Sequence, residues 1–373
     1  MSPWGCYVHV PWCRAQCPYC GFYIVPGERA LAWEPFVDRV LAEHRARAPA
    51  FAGDAHTVYL GGGTPSRLPP EALARLLTNL PTVPGAERSC EANPEDLTDA
   101  WLQGAIEAGI GRISLGVQTF VPHVARRLGR AHTSAQATDA ARRLARAPLR
   151  SWSIDLIFAV PGQTLDDLRS DLDTILSLGA PHVSIYGLTV EPGTPFASAR
   201  RRGRLPDVDP DLWRDMYDQI VSVLGGAGLQ RYEVSSFARA GHRCDHNALY
   251  WADRPYMGLG PGAHGYAPDG TRWHNTPDLR GYLAADTAPG RIEHPSGEVA
   301  AMDLLVAGLR GIDGVTLSRL EARTGHRPDP RIVEILIEGG LLIPDPARLA
   351  LTSRGFPLAD AVVDRLVRAL RPS

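Results

Sequence analysis

The sequence predicts an α/β fold, a barrel or an open doubly wound sheet, with a small helical appendage. Three observations carry this. Short β-rich runs alternate six times with amphipathic helical patterns between residues 6 and 190. The connections are short, so the strands should be parallel with right-handed crossovers. Residues with chemical potential cluster near the ends of these runs, where parallel α/β proteins build their sites.

The expected strands are CYVHV (6–10), HTVYLGGG (56–63), RSCEANP (88–94), GRISLGVQ (111–118), SWSIDLIFAV (151–160) and HVSIYGLTV (182–190). Helical patterns fall at about 33–47, 69–79, 95–108, 121–128, 134–147 and 164–178. In the last of these, Leu165, Leu168, Leu172, Ile175 and Leu176 recur at spacings of three and four and give one apolar stripe. Gly109 stands where a C-cap would close the third helix. A longer helix is expected over 209–225, then a strand at RYEVSSFA. Residues 239–270, rich in glycine, histidine and aromatics, read as loop.

From about residue 296 the pattern changes. Helices at 297–309, 316–325 and 330–342 lead to RLALTSRGF and a final helix at 358–370, a winged-helix-like arrangement. No basic cluster marks a recognition helix, so packing or lid duty is favoured over DNA binding. The expected division is 1–235 for the barrel, 236–295 for a loop-rich connection and 296–373 for the C-terminal domain.

A chain of 373 residues has room for a barrel and an appendage. Its formal net charge of −2 gives no overall field towards nucleic acid. There is no lysine; all 39 basic residues are arginine, which excludes a lysine Schiff base or a phosphate-loop lysine. No apolar run reaches the roughly 18 residues of a membrane span. The stretch MSPWGCYVHVPWC lacks the basic start and apolar core of a signal peptide. Six cysteines in such a chain are not a disulfide scaffold, and three crowded together read as metal-binding or catalytic. A reducing cytoplasm is the expected location.

That crowd is CRAQCPYC (13–20), with the spacing C-x3-C-x2-C. Close thiolates bind zinc or iron–sulfur clusters. Structural zinc needs four ligands, and Cys6, Cys90 and Cys244 are scattered. Three thiolates on a cubane cluster would instead leave one iron open to an external ligand. Both options stand on spacing alone. GGGTPS (61–66) follows the second strand, either as a tight turn or as a place where backbone approaches a ligand closely. Glu91 or Asp155 could accept from hydroxyls or an ammonium, Gln118 could bridge polar groups, and Arg130 could pair with a carboxylate. Salt bridges and caps are the plainer roles for each.

With Tyr19 before its last cysteine, the triad resembles the signature of radical S-adenosylmethionine (SAM) enzymes. The resemblance implies a partial (β/α)6 barrel and a 4Fe–4S cluster on Cys13, Cys17 and Cys20. The SAM amino and carboxylate groups would chelate the open iron. An electron donor would reduce the cluster, and cleavage of SAM would give a 5′-deoxyadenosyl radical; the cofactor carries the hard chemistry. Within the superfamily, the chain is similar to the oxygen-independent coproporphyrinogen III oxidase branch. YVHVPWC, EANPEDL, RISLGVQTF, LGRAH, IDLIFAVPGQT, YGLTVEPGTPF, YEVSSFA and GPGAHG occur in that branch's order. The resemblance implies that Gly62, Gly63 and Thr64 meet the SAM amino group. It likewise implies that Tyr7, Tyr19, Glu91, Gln118, Arg130 and Asp155 contribute to SAM binding.

Two departures separate the chain from the oxidases. Phe22 stands where they carry a further cysteine, and Cys13 lies near the start where they carry an extension. Both features match a sister group of haem chaperones. HNALYW (246–251) fits the H-N-x-x-Y-W motif associated with haem in that group. His246 would then be an axial ligand, and Tyr250 and Trp251 would offer flat apolar surface to a porphyrin. Cys244 could compete as a thiolate, and a core anchor is the plainer role for His246. His264, between glycines, reads as a turn residue.

The implied function is a haem chaperone binding cluster, SAM and haem. It would pass haem to a haemoprotein acceptor of unspecified identity, with delivery at the inner membrane face left open. No nucleic acid is expected as a partner. The rivals are oxidative decarboxylation of coproporphyrinogen III, a radical SAM enzyme acting on haem itself, and a structural zinc protein.

Overall fold

The structure, a computed structural model, describes residues 3–27, 33–285 and 290–373. Six strands run parallel in chain order: β1 (Gly5–Val10), β2 (Ala55–Gly62), β3 (Thr82–Ala92), β4 (Arg112–Gln118), β5 (Ser151–Phe158) and β6 (His182–Gly187). The crossovers hold α1 (Trp33–Arg47), α2 (Pro70–Asn79), α3 (Asp99–Glu107), α4 (Pro122–Arg127), α5 (Ser134–Arg146) and α6 (Leu165–Leu178). This is the βα repeat that periodicity predicts. Local chemistry sets the helix ends. Thr133 with Gln136, and Thr164 with Asp167, form reciprocal capping boxes at the starts of α5 and α6. Gly109, just beyond α3, takes φ of 101° and turns the chain into β4.

The strands are two-faced, because successive side chains point to opposite sides. Val8, Val10, Val58, Leu60, Ile113, Leu115, Ile154 and Val183 share one face and are fully buried in the main core. Each such side chain contributes roughly 1.5–3 kcal/mol. The opposite face carries Tyr7, His9, Tyr59, Glu91, Ser114, Asp155 and Tyr186, and is polar and aromatic.

Beyond β6 come α7 (Pro195–Arg201), α8 (Pro210–Gly226), β7 (Gln230–Arg231) and β8 (Ser236–Ala238), with β8 antiparallel to β6. The chain then returns to the other side of the sheet through α9 (Asp245–Trp251). There β9 (Tyr256–Leu259) pairs parallel with β1, and β10 (His264–Tyr266), β11 (Arg272–Asn275) and β12 (Gly290–Glu293) follow antiparallel. The twelve-stranded order is β12-β11-β10-β9-β1-β2-β3-β4-β5-β6-β8-β7.

This flange replaces much of the loop expected over 239–270. Glycines suggested turns there, but Gly258 and Gly265 lie in strands under crowded neighbours. A Cβ on Gly258 would sit 1.7 Å from the His264 carbonyl oxygen, and one on Gly265 would sit 2.0 Å from the Trp273 indole. The buried carboxylate of Glu43 on α1 ties the flange down. It accepts from Asn275 Nδ2 (2.8 Å), Gly260 N (3.0 Å), Arg47 Nε (2.8 Å) and the hydroxyl of Tyr282 (2.8 Å), which lies on α10 (Leu279–Ala284).

The C-terminal part holds α11 (Gly297–Gly308), α12 (Leu317–Thr324), α13 (Pro330–Glu338) and α14 (Ala359–Arg368). Two short antiparallel pairings accompany them, Val315–Thr316 with Arg348–Leu349 and His326–Pro328 with Leu370–Pro372. Arg319 and Arg323 of α12 both reach the Asp253 carboxylate just after α9. Among the described residues no helix is long and apolar enough to cross a membrane.

Candidate cofactor-binding site

A cavity of about 740 Å³ opens at the C-terminal ends of the parallel strands. Its lining includes Cys13, Cys17 and Cys20 after β1, Gly62–Thr64 after β2, Glu91–Asn93 from β3, Gln118 from β4, Asp155 from β5 and Tyr186 from β6. Six successive strands meeting one cavity is what a curled parallel sheet provides. The volume suits a small-molecule cofactor.

The three cysteines are half-buried and free, on a loop tightened by the Cys20 N–H donating to the Cys17 carbonyl at 3.1 Å. Cys13 Sγ lies 3.3 Å from Thr64 Oγ1. Burial pushes the Cys13 thiol up to about 11, partly offset by the Thr64 hydroxyl, and burial raises Cys20 as well. The Cys13 and Cys20 thiols stay protonated until a metal displaces the protons. Phe22 lines the same cavity, 70% exposed, and offers no ligand atom.

The glycine segment is a cradle. Gly62 takes φ of 104°, and a Cβ there would lie 2.5 Å from the His9 ring. A Cβ on Gly63 would meet the Pro11 backbone at 2.7 Å. Only glycine lets the main chain pass here and still expose its edge. The Gly62 N–H donates to Glu91 Oε2 (3.1 Å), and the Tyr59 hydroxyl donates to Oε1 (3.0 Å). Burial and the neighbouring Asp155 push Glu91 up to about 7 against those two bonds. Asp155 sits inside β5, accepts from Ser114 Oγ at 2.7 Å, and is raised chiefly by burial.

Arg130 joins the cluster loop to the cradle. Its Nη2 donates to Asn93 Oδ1 and to the Gly116 carbonyl, both at 2.7 Å, and Nη1 lies 3.5 Å from Cys17 Sγ. Asn93 Nδ2 donates on to Thr64 Oγ1 at 3.1 Å. The buried Nε of Arg130 has no partner among the described residues. Gln118 takes φ of 69° at the irregularity between β4 and β5. Such a conformation in a non-glycine residue costs roughly 1 kcal/mol and is often found at functional sites.

Tyr19 lines the cavity and packs against Phe196, with ring centroids 6.4 Å apart. Tyr7 is not part of the lining. It lies on the inner sheet face, its hydroxyl 3.1 Å from His9 Nδ1. Asn93, Ser114 and Tyr186 were missed from sequence. Asn93 stands inside EANP, where the more chemically obvious Glu91 drew attention.

The H-N-x-x-Y-W residues lie elsewhere, at the N-terminal floor of the barrel. His246 is 0% exposed. Its Nδ1 lies 2.7 Å from Thr57 Oγ1, its Nε2 lies 2.8 Å from the Tyr250 hydroxyl, and its ring stacks on Tyr59 at 5.1 Å. Burial pushes its pKa down to about 3. In this structure both ring nitrogens lie within hydrogen-bond distance of a neighbour, so ligation of a metal by His246 would need Thr57 or Tyr250 to give way. Tyr250 meets Tyr256 edge-on at 4.6 Å. Trp251 packs beside Gly311 of the C-terminal part, its buried Nε1 unpartnered among the described residues. Both residues are half-buried, in contact with protein on one side. Cys244 is buried against Glu87, and burial holds its thiol well above the usual range, which disfavours a thiolate. His264 also departs from expectation, since it is an exposed strand residue rather than part of a turn.

Comparison with known proteins agrees with the cysteine loop and the fold. The radical SAM superfamily model matches residues 7–175. The heme chaperone HemW of Lactococcus lactis is 34% identical, with 98% of each chain covered. The HemW of Mycobacterium tuberculosis is 38% identical over 98% of this chain and 95% of the relative. The coproporphyrinogen III oxidase HemN of Escherichia coli, a radical SAM enzyme, superposes with a TM-score of 0.81 at 22% identity, covering 98% of this chain and 90% of that one. At that identity the likeness concerns the fold, a radical SAM partial barrel with a mostly helical C-terminal part. On sequence, the chain belongs to the HemW family of radical SAM proteins.

Proposed function

We propose that the chain is a haem chaperone that uses a radical SAM scaffold. It holds a 4Fe–4S cluster on Cys13, Cys17 and Cys20, takes SAM in the adjoining cavity, and passes haem to a haemoprotein. The observation that carries this is the convergence of three free thiols, the Gly62–Gly63 cradle and the unpartnered buried Nε of Arg130 on one cavity. The donor set fits the group: three thiols leave one iron for an outside ligand, and the fourth thiol position of the oxidases is Phe22.

When bound, cluster and SAM supply one-electron chemistry, with electrons from a donor protein or reductant. This chain's residues do the holding. Thr64 and Arg130 neighbour the Cys13 and Cys17 sulfurs, and Gly62, Gly63 and Thr64 present backbone to the SAM amino group. Glu91 and Asp155 accept from polar hydrogens, Arg130 faces a carboxylate, and Gln118 and Tyr19 close the walls. Tyr7 supports this set through His9. The haem role is supported by the names of the curated relatives and by Phe22. A cytoplasmic location, with delivery to an acceptor at the inner membrane face, suits this reading. So does a division into barrel (1–235), connection (236–295) and C-terminal domain (296–373).

The test is anaerobic purification with iron and sulfide analysis, then hemin titration and an assay with reductant, SAM and coproporphyrinogen III. The expected result is a cluster, saturable hemin uptake and no decarboxylation. Formation of protoporphyrinogen IX would overturn the chaperone reading.

A further inference from the structure

The turn that follows the glycine cradle also grips the cysteine loop. Pro65–Arg67 form a single 3₁₀ turn after Thr64. From it the half-buried Arg67 reaches back to the loop. Its Nη1 donates to the Cys13 carbonyl at 2.7 Å and to the Gly27 carbonyl at 2.6 Å. All three cysteines lie on the segment between those two carbonyls, Cys13 at its start. Gly27 N donates to the same Cys13 carbonyl at 3.0 Å, and Val25 N donates to the Pro11 carbonyl at 2.7 Å. Arg67 therefore closes the loop at its neck.

A second tie holds the outer arm. Arg14, directly after Cys13, donates from Nε (2.9 Å) and Nη2 (2.6 Å) to Asp96 Oδ1. Asp96 is buried, and its Oδ2 accepts from Ser66 Oγ at 3.3 Å. Adjacent residues of one turn, Ser66 and Arg67, thus fix adjacent residues of the loop, Arg14 and Cys13. The turn is joined to the cradle as well. Gly63 N donates to the Val10 carbonyl and Thr64 N to the Trp12 carbonyl, both at 2.8 Å. The two ties differ in charge. Arg14 is neutralised by the Asp96 carboxylate. The partners of Arg67 among the described residues are carbonyls, which leave its charge uncancelled. A guanidinium stays protonated at any working pH.

We infer that Arg67 is a positioning residue for the iron–sulfur cluster, fixing the Cys13 end of the loop through two carbonyls and supplying a fixed positive charge that makes the cluster easier to reduce. This rests on the radical SAM reading and deepens it. A cluster on three thiolates gains negative charge when an external reductant adds one electron. A cation beside it stabilises the reduced form more than the oxidised form, because cluster potentials follow local charge and hydrogen bonding.

The test uses the anaerobically reconstituted full chain. Wild type is compared with Arg67→Met, Arg67→Lys and a control, Arg75→Met, which removes an arginine on α2 paired with Asp38. Two quantities are read: the midpoint potential, from a redox titration followed by electron paramagnetic resonance, and the rate of iron loss to a ferrous chelator. Arg67→Met should make reduction about tenfold less favourable, a shift of about 59 mV to more negative potential for one electron, and should lose iron faster. Arg67→Lys should recover the potential, since it keeps the charge, while its shorter arm leaves iron loss faster than in wild type. Arg75→Met should match wild type in both. If Arg67→Met retains too little cluster to titrate, Arg67→Lys decides: wild-type potential supports the assignment. Arg67→Met with wild-type potential and iron retention overturns it, as does Arg67→Lys shifted as far as Arg67→Met. Either result leaves the radical SAM reading standing. A wild type that assembles no 4Fe–4S cluster overturns both.

Discussion

Histidines stand at two places on the inner side of the sheet, one on the α9 helix and two on the flange strands, and their surroundings are opposite. On the floor, His246 is fully enclosed, bonded at both nitrogens and held neutral by burial. On the open flange, His264 and His274 have rings without hydrogen bonds, one of them in solvent. The cofactor cavity lies at the other end of the barrel from His246. The difference shows that an imidazole in a suggestive motif is chemically available only where packing leaves a nitrogen free. It also separates residues that hold the barrel shut from residues that can meet a ligand.

The largest effect should come at the rim, the cysteine loop that lines the cofactor cavity. Replacing Cys20 with serine should reduce retained iron and sulfide to background while far-ultraviolet circular dichroism stays native. Full iron retention in that variant would remove the rim from the comparison. Next comes the floor. His246→Ala strips partners from Thr57 and Tyr250 and leaves a cavity, which should cost about 2–4 kcal/mol in urea unfolding. Hemin uptake should survive wherever the variant is folded. A stable variant that cannot take up hemin would restore His246 as a ligand.

The floor also predicts a pH dependence. The folded His246 pKa, pushed down to about 3, lies below the ordinary value of 6.5. The unfolded chain therefore binds the extra proton first. Its neutral-state contribution is complete above about 6.5 and is lost as the pH falls towards 3, with a slope of at most about 1.4 kcal/mol per pH unit. His246→Gln should flatten stability over that window; an unchanged slope would show that other groups govern it. The smallest effect is at Gln118. Gln118→Gly should relieve the positive-φ strain and stabilise the chain by about 1 kcal/mol or less, while SAM binding weakens in calorimetry. A variant that binds SAM as tightly as wild type would make Gln118 a structural residue only.

The barrel was legible because its physics is local. Six apolar repeats and Gly109 each act within a few residues. The flange was not, because Gly258 and Gly265 are required by His264 and Trp273 across strands, and composition alone turns such glycines into loops. The cysteine loop was legible from spacing. Asn93 and Ser114 were not, since an ordinary amide and hydroxyl become site residues only when β3 and β4 bring them beside Arg130 and Asp155. The burial of His246 depends on α9 folding back under strands almost 200 residues earlier in the chain, a contact no local pattern records.

The most direct test of the rim as cofactor site is electron paramagnetic resonance of the reduced, anaerobically reconstituted chain with and without SAM. The account predicts a 4Fe–4S signal that changes when SAM is added and is absent in Cys20→Ser. Bound zinc in place of iron, or a cluster signal indifferent to SAM, would contradict it.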